Sequence, residues 1–270
     1  MIGFFRKIRK KLADDNQFFK YARYAIGEIV LVVVGILIAL QINNWNEKIK
    51  TQENVQAQLI NLIDAIESDV KSYENLLSQE GFRFHAVKYL LGLAEEEILI
   101  YSYDYHKFPK NQWSFMWDKP IPEEYDEEYI TTCLSILDNG PTGSIINKSA
   151  ISEFNSTGLF SSLKNVELKK KINEYYIYTD TRYVGRAWEY KLDISLQIRD
   201  FLLDQHQIDS RRVRDVKGMI ELFKNDTVIT SKLHILLDNI SWSCQTFLNS
   251  SQMALQVLED IKTELNQLNN

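Results

Sequence analysis

The chain has 270 residues, 45% of them hydrophobic, with only 10 glycines and 4 prolines, a composition that supports packed helices and argues against disorder. Its net charge of −6 conceals a basic first stretch: residues 1–23 carry seven Lys/Arg against Asp14 and Asp15, leaving 24 of the 31 basic and 35 of the 37 acidic residues to the remainder. A folded part this acidic argues against nucleic acid as a partner.

In the opening "MIGFFRKIRKKLADDNQFFKYARY", Ile2, Phe5, Ile8 and Leu12 recur at helical spacing with basic residues between them. That pattern suits a segment lying on an anionic membrane surface; a solvated basic tail is the plainer alternative. From Tyr24 to Ile42 run 19 residues that are apolar but for Glu28 and Gln41, and Ile29–Leu40 holds no polar side chain. As a helix it reaches about 28 Å, close to the thickness of a bilayer's hydrocarbon core. Tyr21, Tyr24 and Trp45 stand where interfacial aromatics belong,. The following "ALQINNW" offers no small-x-small cleavage pattern, so the segment reads as an uncleaved signal-anchor. No second segment matches its apolar length, which makes this a single-pass chain. The positive-inside rule places residues 1–23 in the cytoplasm and residues 46–270 outside it, in the periplasm if the membrane is a bacterial inner membrane.

At 100° per residue, Glu28, Gly35 and Ala39 share one face of this span. Gly35 and Ala39 form a small-xxx-small pair, which lets two helices approach closely in lipid. One reading makes this an oligomer face with Glu28 directed inward. The other leaves Glu28 hydrated among head groups near Arg23.

Beyond the span, Val55, Leu59, Leu62, Ile66, Val70, Tyr73 and Leu77 continue at helical spacing. This predicts a helix running on to Gln79, a stop at Gly81, and a shorter helix over 82–98. Residues 101–129 break the texture, with ten Tyr/Trp/Phe/Met residues, three prolines and seven acidic residues. Tyr101, Tyr103, Tyr105, Trp113, Phe115 and Trp117 are candidates for a binding surface. The alternative folds the segment back over the bundle with its rings inside. "GPTGSIINKS" (140–149) lacks the second glycine of a phosphate loop and reads as a helix entry capped by Asn147 or Ser149,.

A further stripe runs from Leu168 through Ile172, Tyr175, Thr179, Tyr183, Ala187, Tyr190, Ile194 and Ile198 to Phe201, with Asn165 as N-cap,. The last one, from Ile229 to Leu268, alternates three- and four-residue steps over about 60 Å of helix,. Each stripe is narrow, so the helices need one another. The expected fold is all-α: a transmembrane helix over 24–42 continuing into an elongated antiparallel helical bundle over 43–270, the last helix returning along residues 46–80.

No catalytic set emerges. His85, His106, His206 and His234 are scattered without H-x-x-x-H spacing, and no nucleophile elbow occurs,. Neither a metal nor any other cofactor is implied. Cys133 and Cys244 sit among apolar neighbours, as buried thiols do, while a compartment outside the cytoplasm also permits a disulfide.

"FFRKIRKKL" (4–12) followed by "YAIGEIVLVVVGILIALQINNWNE" (24–47) closely resembles the N-terminus of domain of unknown function family 6090, a group of bacterial membrane proteins. "SEFNSTGLFSSLKNVELKKKINEYY" (152–176) is similar to that family's second recurring block. The resemblance implies an anchored helical protein of envelope-bearing bacteria and brings no activity, substrate or cofactor with it. Together these readings point to a membrane-anchored structural or interaction protein without catalytic activity. Its expected partners are lipid, a second copy of itself and another envelope protein. A ligand-sensing module acting through a partner, with residues 101–129 as its lid, is the alternative.

Overall fold

A computed structural model describes residues 6–7, 18–98, 100, 105–110, 115–139, 146–183 and 186–268, with side chains from residue 22 in the first helix and from 194 in the sixth. Eight α-helices are described: α1 (Phe18–Leu93), α2 (Glu127–Ser135), α3 (Ser149–Ser156), α4 (Leu159–Ser162), α5 (Val166–Tyr183), α6 (Arg186–His206), α7 (Val216–Asn225) and α8 (Thr227–Leu268). No strand occurs among the described residues, so the fold is all-α. The chain divides into two compact units, Met1–Ala57 and Gln58–Asn270.

In the first unit the described part is the apolar first portion of α1. Every large side chain between Ile29 and Leu40 is exposed, from 46% at Val33 to 75% at Leu31. Among the described residues one helix is long and apolar enough to cross a membrane, and this is its apolar part.

The second unit is a bundle. The sequence places a stop at Gly81, yet α1 passes through it and ends at Leu93. Gly81 answers to a neighbour instead: a Cβ there would stand 2.7 Å from the Pro109 carbonyl oxygen and 2.9 Å from its Cδ. The glycine therefore lets the 105–110 segment lie directly on the helix. The true terminus is a Schellman turn. The Glu96 N–H donates to the Leu91 carbonyl and the Glu95 N–H to that of Gly92, with Glu95 itself in the left-handed region at φ 63°. A glutamate at that position gave no signal in the sequence.

The stripe from Leu168 to Phe201 falls on α5 and α6; the side chains of Tyr183, Ala187 and Tyr190 lie outside the description. Both pieces nevertheless hold one antiparallel register on α8. Asn165 meets Glu264, Lys171 meets Asp260, Tyr178 meets Asn249 and Gln197 meets Lys232. From Asn165 to Gln197 the chain advances by as many residues as it retreats from Glu264 to Lys232. The two helices thus keep one packing phase, because apolar steps of three and four recur in both.

Helix α8 also runs antiparallel to the bundle portion of α1. Glu67 pairs with Lys262 at 2.9 Å, and Glu96, just past the helix end, with His234 at 3.6 Å. The return therefore follows α1 further along than the 46–80 expected from sequence. The buried face of α8 is wider than a two-residue stripe. Ile229, Leu233, Leu236, Ile240 and Cys244 are joined by Leu237, Ser241, Ser243 and Thr246, as befits a helix packed along α5, α6 and α7 at once.

Local chemistry starts the helices. The Asp126 carboxylate accepts from the Tyr129 N–H at 2.9 Å, Asn165 Oδ1 from Leu168 at 3.0 Å, and Asp215 from Gly218 at 2.8 Å. Each closes one of the donors that a helix N-terminus leaves open. At α3 the Asn147 side chain accepts from the Ser149 N–H at 3.1 Å, while residues 140–145 lie outside the description. The main apolar cluster gathers Phe82, Phe84, Leu90 and Leu91 of α1 against α2, α6, α7 and the first half of α8. Cys133 and Cys244 are both buried in that cluster and form no disulfide.

Candidate functional site

On the span, Gly35 has no heavy atom within 4 Å of where a Cβ would stand. Glu28, Gly35, Ala39, Tyr24 and Trp45 are all exposed in the isolated chain, so the small-residue face is open for another helix. The side chain of Tyr21 lies outside the description.

The aromatic segment is divided in its fate. Trp117, named above among binding-surface candidates, is only 5% exposed and belongs to the core. Its ring lies 4.9 Å from that of Tyr129, and its indole N–H donates to the Pro120 carbonyl at 3.2 Å. A large ring with one polar handle is driven inward as soon as that handle finds an acceptor. Phe108 is buried as well, with its ring 5.0 Å from that of Phe84. Phe115 is 87% exposed, and Tyr105 is exposed with the Lys88 ammonium 5.5 Å from its ring centre. Tyr101, Tyr103 and Trp113 lie outside the described residues.

Folding the segment back creates a groove. Its floor is the last turns of α1, at His85, Lys88, Tyr89, Gly92 and Leu93; Ile98, Lys110 and residues 120–123 form its sides, around a volume of about 750 Å³. Wall and floor are tied together, since the Tyr89 hydroxyl donates to the Glu124 carbonyl and accepts from the Asp126 N–H. His85 Nε2 lies 3.3 Å from the Phe108 carbonyl, which the ring N–H serves as donor. Burial first, and then the charges of Lys88 and Lys110, hold its pKa down to about 4, so the ring is neutral at pH 7.

That shift has a measurable consequence. Between the ordinary value of 6.5 and about 4, the unfolded chain takes up a proton that the folded bundle refuses. Stability from this group is therefore complete above pH 6.5 and declines as pH falls, by at most about 3 kcal/mol. Urea unfolding of the full chain at stepped pH is expected to show a shallower acid-side decline in His85→Gln than in the native protein. Identical slopes would mean that water reaches the ring in the folded state.

Two polar constellations lie inside the bundle. Asp69, 2% exposed, accepts from the Tyr175 hydroxyl at 2.9 Å and from the Asn147 N–H at 3.0 Å, and the Tyr73 and Tyr175 hydroxyls are 3.0 Å apart. Burial raises the pKa of Asp69 despite both hydrogen bonds, and it raises that of Tyr175 too. Glu80 and Arg83, 1% and 4% exposed, form an ion pair at 2.8 Å, and Arg83 also donates to the Asn139 carbonyl. Both groups join elements far apart in the chain and hold no nucleophile beside a base. Sequence reading missed Asp69, Glu80 and Arg83; the available signal was charge placed beside Val70 and Leu77 on an apolar stripe. Among the described residues, no group of three or more His, Cys, Asp or Glu is arranged to hold a metal ion.

No curated protein and no solved structure matches the chain. The stretches 4–12 and 152–176, which carried part of the sequence resemblance, lie outside the matched region. It is to the family of unknown function DUF6090 that residues 28–95 are similar, from Glu28 at the entry of the apolar run to Glu95 at the turn that ends α1.

Proposed function

We propose that this protein is a membrane-anchored helical interaction protein, without catalysis of its own, that self-associates through the Glu28–Gly35–Ala39 face. The observation that carries the reading is the band from Ile29 to Leu40, whose large apolar side chains are each at least 46% exposed. Water does not tolerate an apolar cylinder of that length, whereas lipid and a second helix do. The open space at Gly35 supports a helix partner over lipid alone,. The excess of Lys/Arg in residues 1–23 supports an N-terminus in the cytoplasm and a bundle in the periplasm of a bacterial cell,.

The test is native mass spectrometry of the full chain extracted gently from its own membranes, beside a Gly35→Leu/Ala39→Leu variant. The native chain is expected to fly as a discrete homo-oligomer and the variant as a monomer, because added side chains hold the backbones apart. A monomeric native chain overturns self-association.

A second reading, a ligand-binding module that acts through a partner protein, is favoured by the groove beneath residues 120–123. Small-molecule sites have this size and commonly lie between helices.

A further inference from the structure

The groove has a chemical character of its own. Its apolar lining comes from Leu93, Ile98, Pro120, Ile121 and Pro122, and its charge from Lys88 and Lys110 against the single carboxylate of Glu123. Among the described residues neither lysine forms an ion pair. The Lys88 ammonium rests instead over the Tyr105 ring. An ammonium beside an apolar wall and without a carboxylate attracts an anion, and more strongly as water is displaced from the wall.

Gly92 supplies an independent observation. It lies in the last turn of α1, its φ is not positive, and an added Cβ would meet no heavy atom within 4 Å. Gly81 in the same helix is required by the close approach of Pro109, but nothing in the packing or the backbone requires a glycine at 92. A helical glycine without such a reason is unfavourable by about 0.5–1 kcal/mol relative to alanine. What its missing side chain provides is depth in the groove floor, between Tyr89 and Leu93. The walls are already fixed by the Tyr89 hydroxyl and the Trp117 indole, so a ligand would find the site formed.

From this geometry we infer that the groove binds a small amphipathic carboxylate, its apolar body over Gly92 against Ile98 and Ile121 and its anionic end at Lys88 and Lys110. The inference rests on the ligand-binding reading and names the ligand's class. The neutral ring of His85 lets its neighbours present two positive charges rather than three, enough for one carboxylate. The Glu123 carboxylate in the same lining disfavours a dianion.

The experiment is saturation-transfer NMR on the full chain in nanodiscs of zwitterionic lipid, with 3-phenylpropionate, its amide and inorganic phosphate as probes. The acid is expected to bind at least tenfold more tightly than the amide, with phosphate unable to displace it at equal concentration. Lys88→Gln/Lys110→Gln should bring the acid to the level of the amide. Gly92→Leu, which fills the floor without touching either lysine, should abolish both. Circular dichroism of each variant confirms that the helices remain. Equal affinity for acid and amide in the native chain would overturn the anionic class while leaving a binding groove. Displacement of the acid by phosphate would overturn the amphipathic class. Failure of both organic probes to bind would overturn the inference and, with it, the reading of the groove as a ligand site.

Discussion

Replacing Arg83 by methionine is expected to lower the stability of the bundle by about 3–5 kcal/mol, the usual penalty for removing one member of a buried ion pair. Glu80 is 1% exposed and both of its carboxylate oxygens lie within 3.0 Å of Arg83 Nη1. Without the guanidinium, the buried Glu80 carboxylate would lose its 2.8 Å ion pair. The Asn139 carbonyl would lose its Arg83 donor as well. Removing both charges together, in Glu80→Leu/Arg83→Met, is expected to recover most of the loss, because apolar groups of similar volume replace a costly pair. Urea unfolding of the three proteins in one detergent measures this directly. A single variant that loses less than about 1 kcal/mol would place water at the pair and refute its burial. The double variant also tests what the pair is for. The Asn139 contact ties α1 to the chain leaving α2, so a bundle that unfolds less cooperatively in the double variant assigns the pair to fixing that junction.

Asp69→Ala is the second large effect, a loss of about 2–4 kcal/mol, since one buried and one part-buried donor lose their acceptor at once,. These are the Tyr175 hydroxyl and the Asn147 N–H. Through them α1 holds both α5 and the entry to α3, so the damage reaches two elements. Tyr175→Phe removes only one donor and is expected to cost less. The pair of variants together should show coupling of 0.5 kcal/mol or more in a double-mutant cycle; strict additivity would mean that the hydroxyl and the carboxylate do not interact. The group also carries a pH signature. Because burial raises its pKa above 3.8, Asp69 favours the folded state most below pH 3.8, and that contribution is lost as pH rises through the folded value. Asp69→Asn removes this component, whose sign is opposite to that of His85.

Helix periodicity made much of this molecule legible. The apolar run at 24–42, the stripe from Val55 to Tyr73 and the stripe from Ile229 to Leu268 each record the environment of a helix face, which is written in residue spacing alone. The helix cap at Asn165 is equally local, since a side chain and a backbone N–H three residues apart suffice to form it,. The family likeness of residues 28–95 rests on the same local record.

What the sequence could not reveal depends on partners distant in the chain. Gly81 reads as a helix stop until Pro109 is laid upon it, and the real terminus at Glu95 carries a residue that rarely adopts a left-handed backbone. Asp69 and Tyr175 are 106 residues apart, so neither announces the other. Trp117 and Phe115 stand two positions apart with the same composition around them, yet one is buried and the other 87% exposed. The difference is an acceptor at Pro120 and the ring of Tyr129. The groove, too, exists only because Lys110 and residues 120–123 lie against the end of α1. Sequence by itself determined which segments are helical, which one is fit for lipid and where the charges lie. Tertiary structure alone decided which aromatics are core, where α1 ends and which polar groups are paired in the interior, because those outcomes are set by close packing and by hydrogen-bond partners that only the folded chain brings together.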